Sequence, residues 1–127
     1  MRNMSFALTT EQIRAGTKDV TRRAGWRFLK PGDLVRPVLK AMGLRPGETI
    51  QPLRGPIRIL SVRFEPLRAM LDDLDYGYNE VRREGFARHP ECGDPSAWVR
   101  MFCASHKGCT SDTEITRIEF EYTDGPA

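Results

Sequence analysis

Four turn signals, Pro31-Gly32, Pro46-Gly47, Gly55-Pro56 and Gly93-Asp94-Pro95, cut this chain into short pieces. Proline lacks a backbone donor and glycine readily enters turn conformations, so a long helix does not run through these points. The pieces between them carry mostly strand patterns. Ser5–Leu8 reads as a short strand, Asp33–Leu39 as a second, and Ile57–Phe64, stopped by Pro66, as the clearest in the middle of the chain. Pro37 marks the second as an edge strand or the site of a bulge. Further on, Ile118, Phe120 and Tyr122 alternate with Glu119 and Glu121, which predicts a strand over Thr116–Tyr122 with one wet face.

Helices fill the remaining pieces. Thr9 and Gln12 stand at capping-box spacing and Gly16 is a natural stop, so a short helix is expected over Glu11–Ala15. Leu67–Phe86 holds one or two short helices, broken near Tyr76-Gly77-Tyr78. Asp94-Pro95 is an N-cap and first-turn pair opening a helix that runs to about Ser105, with Trp98, Met101 and Phe102 as its core stripe. Many short strands with few helices favour an α+β fold: a small mixed β-barrel of five or six strands. One helix lies near the N-terminus and others are inserted before the last strand. At 127 residues the chain fits a single domain.

No apolar run is long enough for a membrane helix, and the N-terminal residues lack the apolar stretch of a secretion signal, so a cytoplasmic protein is expected. Three cysteines, an odd number, fit reduced thiols. The net charge of +3 hides an asymmetry. Residues 1–69 carry 14 Lys and Arg against 5 Asp and Glu, and residues 70–127 carry 6 against 12. A basic first half is the footprint of a phosphate-bearing partner or a solvated dipolar surface.

The most unusual segment is Gly16-Thr17-Lys18-Asp19-Val20-Thr21-Arg22-Arg23, with three cations and two hydroxyls directly after a helix stop. Lysine supplies a point charge, or a base when burial lowers its pKa. Arginine supplies a planar fork that grips phosphate or stacks on a base. Strand alternation puts Thr21 and Arg23 on one face and Lys18 and Arg22 on the other, so one site holding both Lys18 and Thr21 requires a turn or bulge after Gly16. Trp26 and Phe28 stand next to this segment, where they stack on a base or close a barrel end. Cys103-x-x-His106-x-x-Cys109, with Cys92 and His89 nearby, has short ligand spacing but no CxxC pair, and buried or idle thiols are the simpler reading. No phosphate-binding loop, dinucleotide fingerprint or serine-hydrolase elbow is found.

The run Ser5-Phe6-Ala7-Leu8-Thr9, the spaced set Gly16, Lys18, Thr21 and Arg23, and the turn Pro31-Gly32-Asp33 together resemble the start of an ASCH domain. Ile57-Arg58-Ile59, Val62, Pro66-Leu67, Glu84-Gly85-Phe86 and Ile118-Glu119-Phe120 follow in the order of that family's later blocks. Gly25-Trp26 and Met101-Phe102-Cys103 look like the versions found in phages and prophages. The resemblance implies a PUA-like barrel with a cleft beside the signature, binding RNA or a modified nucleoside and needing no cofactor. It further implies, for some small members, an amidohydrolase acting on N4-acylated cytidine. Lys18, Thr21 and Glu84 would form the catalytic set and Arg23 would hold the ligand, while Arg22 and Trp26 are taken as ligand contacts on their own chemistry. A ribonuclease, or a non-catalytic reader of RNA or a modified base, are the alternatives. The longer segment from Arg27 to Gly55 and the helix carrying Trp98 depart from the compact amidohydrolase pattern.

Overall fold

A computed structural model describes residues 1–125. The elements follow in the order β1 (Arg2–Ser5), α1 (Thr10–Ala15), β2 (Val20–Arg23), β3 (Leu34–Val38) and β4 (Ile57–Pro66). Then come α2 (Ala69–Asp72), α3 (Leu74–Arg83), α4 (Pro95–Ala104) and β5 (Glu114–Tyr122). The strands form one mixed sheet of order β1-β3-β4-β5-β2, parallel between β1 and β3 and antiparallel elsewhere. Its spine is the long β4–β5 pair, which runs from Ile57 opposite Tyr122 to Pro66 opposite Glu114, with a register shift between Ile59 and Ser61.

The domain is α+β as expected, but the sheet is not closed into a barrel: β1 and β2 are its two edges. Across the seam between them, the Arg23 guanidinium donates to the Ser5 carbonyl (2.7 Å). A side chain stands where a closed barrel would place a backbone ladder.

Three local expectations need correction. The first strand lies upstream, at Arg2–Ser5, because the Phe6 carbonyl turns to accept from Thr9 N and Thr10 Oγ1, which ends the strand and starts α1. Thr9 makes no side-chain cap, so the capping box is not formed, whereas Gly16 does stop α1 in the left-handed region (φ +75°). Pro37 lies in an interior strand. It is tolerated because the β3–β4 pairing ends at Val35, and its carbonyl accepts from Leu53 N instead.

The break between α2 and α3 falls at Asp73, whose carboxylate caps α3 by accepting from Tyr76 N, and the helix runs through Gly77. A Cβ on Gly77 would stand 2.0 Å from the Met70 carbonyl oxygen, so the glycine lets α3 lie against α2. The last helix starts at Asp94-Pro95 as expected, with the Asp94 carboxylate accepting from Ala97 N.

Two apolar clusters result. Met4, Phe6, Ile13, Ile57, Ile118 and Phe120 join the sheet to α1, and Leu67, Met70, Val81, Trp98, Phe102 and Ile115 join it to α2–α4. Strand β5 serves both, so the expected wet face is wet only toward its end. Thr116 and Arg117 are buried, while Glu119 is half-buried and Glu121 exposed.

Candidate functional site

The segment after Gly16 is pinned to the end of α3, since Asp19 N donates to the Arg83 carbonyl (3.0 Å). That places Lys18 against Glu84, the residue that ends α3. Lys18 Nζ donates to Glu84 Oε1 (2.9 Å) and to the Glu84 main-chain carbonyl (2.6 Å), and both residues are buried. Burial disfavours the ammonium and lowers the Lys18 pKa, with the Glu84 carboxylate opposing it.

Around this pair lies a buried ionic layer. Arg22 and Arg117 are register partners across β2 and β5, and both donate to Glu80. Arg22 also reaches Glu84 Oε2 (3.2 Å), Glu65 Oε2 (3.2 Å) and the Tyr76 hydroxyl (3.3 Å). Three buried cations, Lys18, Arg22 and Arg117, thus meet three carboxylates, Glu65, Glu80 and Glu84, and the less buried Arg63 and Arg83 also pair with Glu65 and Glu80. Burial alone would raise the Glu80 pKa, but its hydrogen bond from Arg117 and the charge of Arg22 hold it down at about 2. Burial pulls Arg22 the other way, yet Glu84 and Glu80 keep its pKa above that of a free guanidinium.

Thr21 and Arg23 project from the opposite face of β2 to Arg22, as alternation requires, and Lys18 precedes the strand. The Thr21 hydroxyl accepts from Arg23 Nε (3.0 Å). Strand alternation does not extend to Lys18: Gly16 turns the chain in the left-handed region, β2 begins only at Val20, and Lys18 and Thr21 line one cavity. This cavity, of about 260 Å³, is lined by Lys18, Thr21, Arg22, Arg23 and Glu84 with an aromatic wall of Phe6, Phe86, Trp98 and Phe102. Lys18 and Thr21 share it without a hydrogen bond between them. Arg23 makes no ion pair among the described residues. Burial lowers its pKa to about 10, so it remains charged at neutral pH and gives the cavity its uncompensated positive group.

Trp26 does not line this cavity. It faces a neighbouring cleft of about 660 Å³ with Arg2, Lys40 and Met42, and Ser5 and Arg23 form the wall the two spaces share. Its backbone lies in the left-handed region (φ +64°), a conformation a bulky residue rarely adopts. Phe28 packs against Trp26 (ring centroids 5.4 Å apart) and lies under Arg2. Cys92 is buried in the second cluster, and the Cys103 and Cys109 sulfurs face each other. Among the described residues no three His, Cys, Asp or Glu side chains are grouped as metal ligands.

The structure brings Lys18 and Glu84 into contact across 66 residues of sequence and sets Thr21, Arg22 and Arg23 around the same cavity. It adds Glu65, Tyr76, Glu80 and Arg117, which sequence reading missed. Tyr76, Glu80 and Glu84 recur every four residues, a polar stripe on a helix face that pointed at them. His106 also lines the cavity, four residues after Phe102, which itself stands four after Trp98.

No model of a protein family matches this chain, and no curated protein matches it. Among solved structures, it is similar to protein EF3133 from Enterococcus faecalis V583, described as a DUF984 protein. The TM-score is 0.50 at 16% identity over 94% of this chain and 78% of the other. At that identity the likeness concerns the fold, a small α+β domain.

Proposed function

We propose that this chain is an ASCH-type protein that binds a nucleobase, nucleoside or RNA, and that its cavity hydrolyses an N4-acylated cytidine. The supporting observation is the buried contact of Lys18 with Glu84 on the wall of a cavity that also holds the Thr21 hydroxyl and the Arg23 guanidinium. A volume of about 260 Å³ lies just below the usual range of small-molecule sites, roughly 300–1,000 Å³, and suits one nucleoside better than a folded RNA.

In this reading Thr21 Oγ attacks the acyl carbon, and Lys18, whose pKa burial lowers, accepts the hydroxyl proton when its amine is in the neutral form. Glu84 orients the Lys18 amine through its two acceptors. Arg23, already donating to Thr21 Oγ1, stabilises negative charge as it develops on the carbonyl oxygen. Lys18 returns the proton to the departing N4 amine, and water then releases the acid from the Thr21 ester.

The test is incubation with N4-acetylcytidine, read by mass spectrometry for cytidine and acetate. Lys18→Ala and Thr21→Ala are each expected to abolish turnover while the far-UV circular dichroism stays unchanged. Turnover that survives both substitutions rejects the mechanism. A second reading, a non-catalytic reader of a modified base, draws on the lack of a Lys18–Thr21 hydrogen bond. It predicts that the wild-type protein binds the nucleoside and leaves it intact. Ribonuclease action would show as cleaved short RNAs in the same assay.

A further inference from the structure

The charged side chains of the cavity are rich in donors and poor in acceptors. Lys18 Nζ and the Arg23 guanidinium donate, and the Glu84 oxygens are taken by Lys18 and Arg22. Thr21 Oγ1 already accepts from Arg23. A nucleobase edge carries donors as well as acceptors, so a cavity that recognises one needs an acceptor.

His106 is placed to supply it. Along the α4 direction, Trp98, Phe102 and His106 are four residues apart and stack ring on ring. The Trp98–Phe102 centroids are 5.6 Å apart with a tilt of 22°, and the Phe102–His106 centroids 4.2 Å apart with a tilt of 14°. This ladder lines the cavity that holds Lys18 and Thr21. His106 Nδ1 lies 2.7 Å from the Phe102 carbonyl oxygen. A carbonyl only accepts, so Nδ1 carries the hydrogen, and in the neutral ring Nε2 keeps its lone pair. Nε2 has no protein partner among the described residues. His89 shows the opposite arrangement: its Nδ1 accepts from Glu91 N and Cys92 N, which makes that ring a turn brace.

We propose that His106 is a ligand contact whose Nε2 accepts an N–H or O–H from a planar heterocycle seated against the Trp98–Phe102–His106 stack. The ligand class is then a heteroaromatic ring with a donor group at one edge and an acceptor facing Lys18 and Arg23. This rests on the nucleobase reading above and sharpens it by naming the edge that is read.

The test joins imidazole ¹⁵N NMR with titration calorimetry, using cytidine, N4-acetylcytidine and the fragment 2-aminopyrimidine as probes. Expected is a neutral Nδ1–H tautomer in the unliganded protein, with an Nε2 resonance that moves when a probe binds. His106→Phe keeps a ring on Phe102 but removes the acceptor, and should weaken binding roughly three- to tenfold, the worth of one hydrogen bond. His106→Gln gives up the ring but keeps an acceptor of similar reach, and should bind within about twofold of wild type. The opposite ranking, with Phe neutral and Gln impaired, assigns His106 to packing and overturns the proposal. If neither nucleoside binds, the nucleobase reading fails. His106 is then judged on 2-aminopyrimidine alone: a moved Nε2 resonance supports it, and an unmoved one or an Nε2–H tautomer overturns it.

Discussion

Glu80 is the carboxylate on which both buried arginines of the sheet converge, and it is the acceptor of Arg117's ion pair. Its pKa in the folded protein is about 2, below the ordinary 4.5. The stabilisation is therefore complete above about pH 4.5 and is lost as pH falls through about 2. Acid unfolding followed by tryptophan fluorescence should show a transition in that window, and Glu80→Gln should remove most of its pH dependence. The same substitution leaves Arg117 buried without a carboxylate, and should cost about 3 kcal/mol in urea titrations at neutral pH. Lys18 titrates the other way. Its pKa is lowered from 10.5 by burial, so hydrolysis that needs the neutral amine should rise with pH along a limb centred below 10.5. A rate that falls over that range would show the amine acting as a cation. Lys18 and Glu84 were legible in the sequence, but only through the spacing of a signature and a later Glu-Gly-Phe block. Glu65 was not, because a buried carboxylate and a solvated one look alike until the facing cation, Arg22, is placed, and Glu80 had only its four-residue spacing from Tyr76 and Glu84 to mark it.

At the scale of elements, the least tolerant junction is that between α2 and α3. Gly77 sits mid-helix, where glycine is costly, and its sequence neighbourhood reads as a break. The structure reverses that reading: the helix continues, and the missing Cβ makes room for the Met70 carbonyl and Pro95. Gly77→Ala gains helix propensity and should still destabilise, by about 3 kcal/mol or a fall of roughly 10 °C in Tm, because the contact forces the two helices apart. Gly25→Ala is the control: a Cβ there meets nothing within 4 Å, and Tm should hardly change. This pair of outcomes explains why strands and α4 were legible while the α2–α3 region was not. Alternation and the Asp94-Pro95 start are local signals carried by the residues themselves. The reason for Gly77 lies seven residues away, in a carbonyl that only tertiary packing brings near. The barrel expectation missed for a similar cause, since closure depends on whether β1 and β2 meet, and neither strand's own pattern records that.

Across the whole molecule, folding cancels much of the charge asymmetry of the sequence. Cations of the first half pair with carboxylates of the second: Lys18 with Glu84, Arg22 with Glu80, Arg27 with Glu114, Arg54 with Asp124 and Arg58 with Glu121. Around the cleft beside the candidate site the compensation is thin. Arg2 and Arg23 make no ion pair among the described residues, Lys40 has only an exposed one with Glu48 at 3.6 Å, and the cleft lining contains no carboxylate. Trp26 adds an aromatic surface there. If a strand of RNA leaves the cavity across the shared Arg23 wall, its next phosphates meet Arg2 and Lys40. Binding of a short single strand should then weaken with salt at a log–log slope of about −2, at roughly −0.7 for each of three phosphates neutralised. The double substitution Arg2→Ala with Lys40→Ala should flatten the slope to roughly −0.7, since only Arg23 remains. Binding of an uncharged nucleoside should not respond to salt or to that double substitution, because its contacts lie in the cavity. Trp26→Ala should weaken the RNA by about 1–3 kcal/mol through lost stacking and leave the nucleoside unaffected. Fluorescence anisotropy at several salt concentrations measures all of these. An RNA slope unchanged by losing Arg2 and Lys40 would move the strand's path away from this cleft and leave the cavity as a site for single nucleosides.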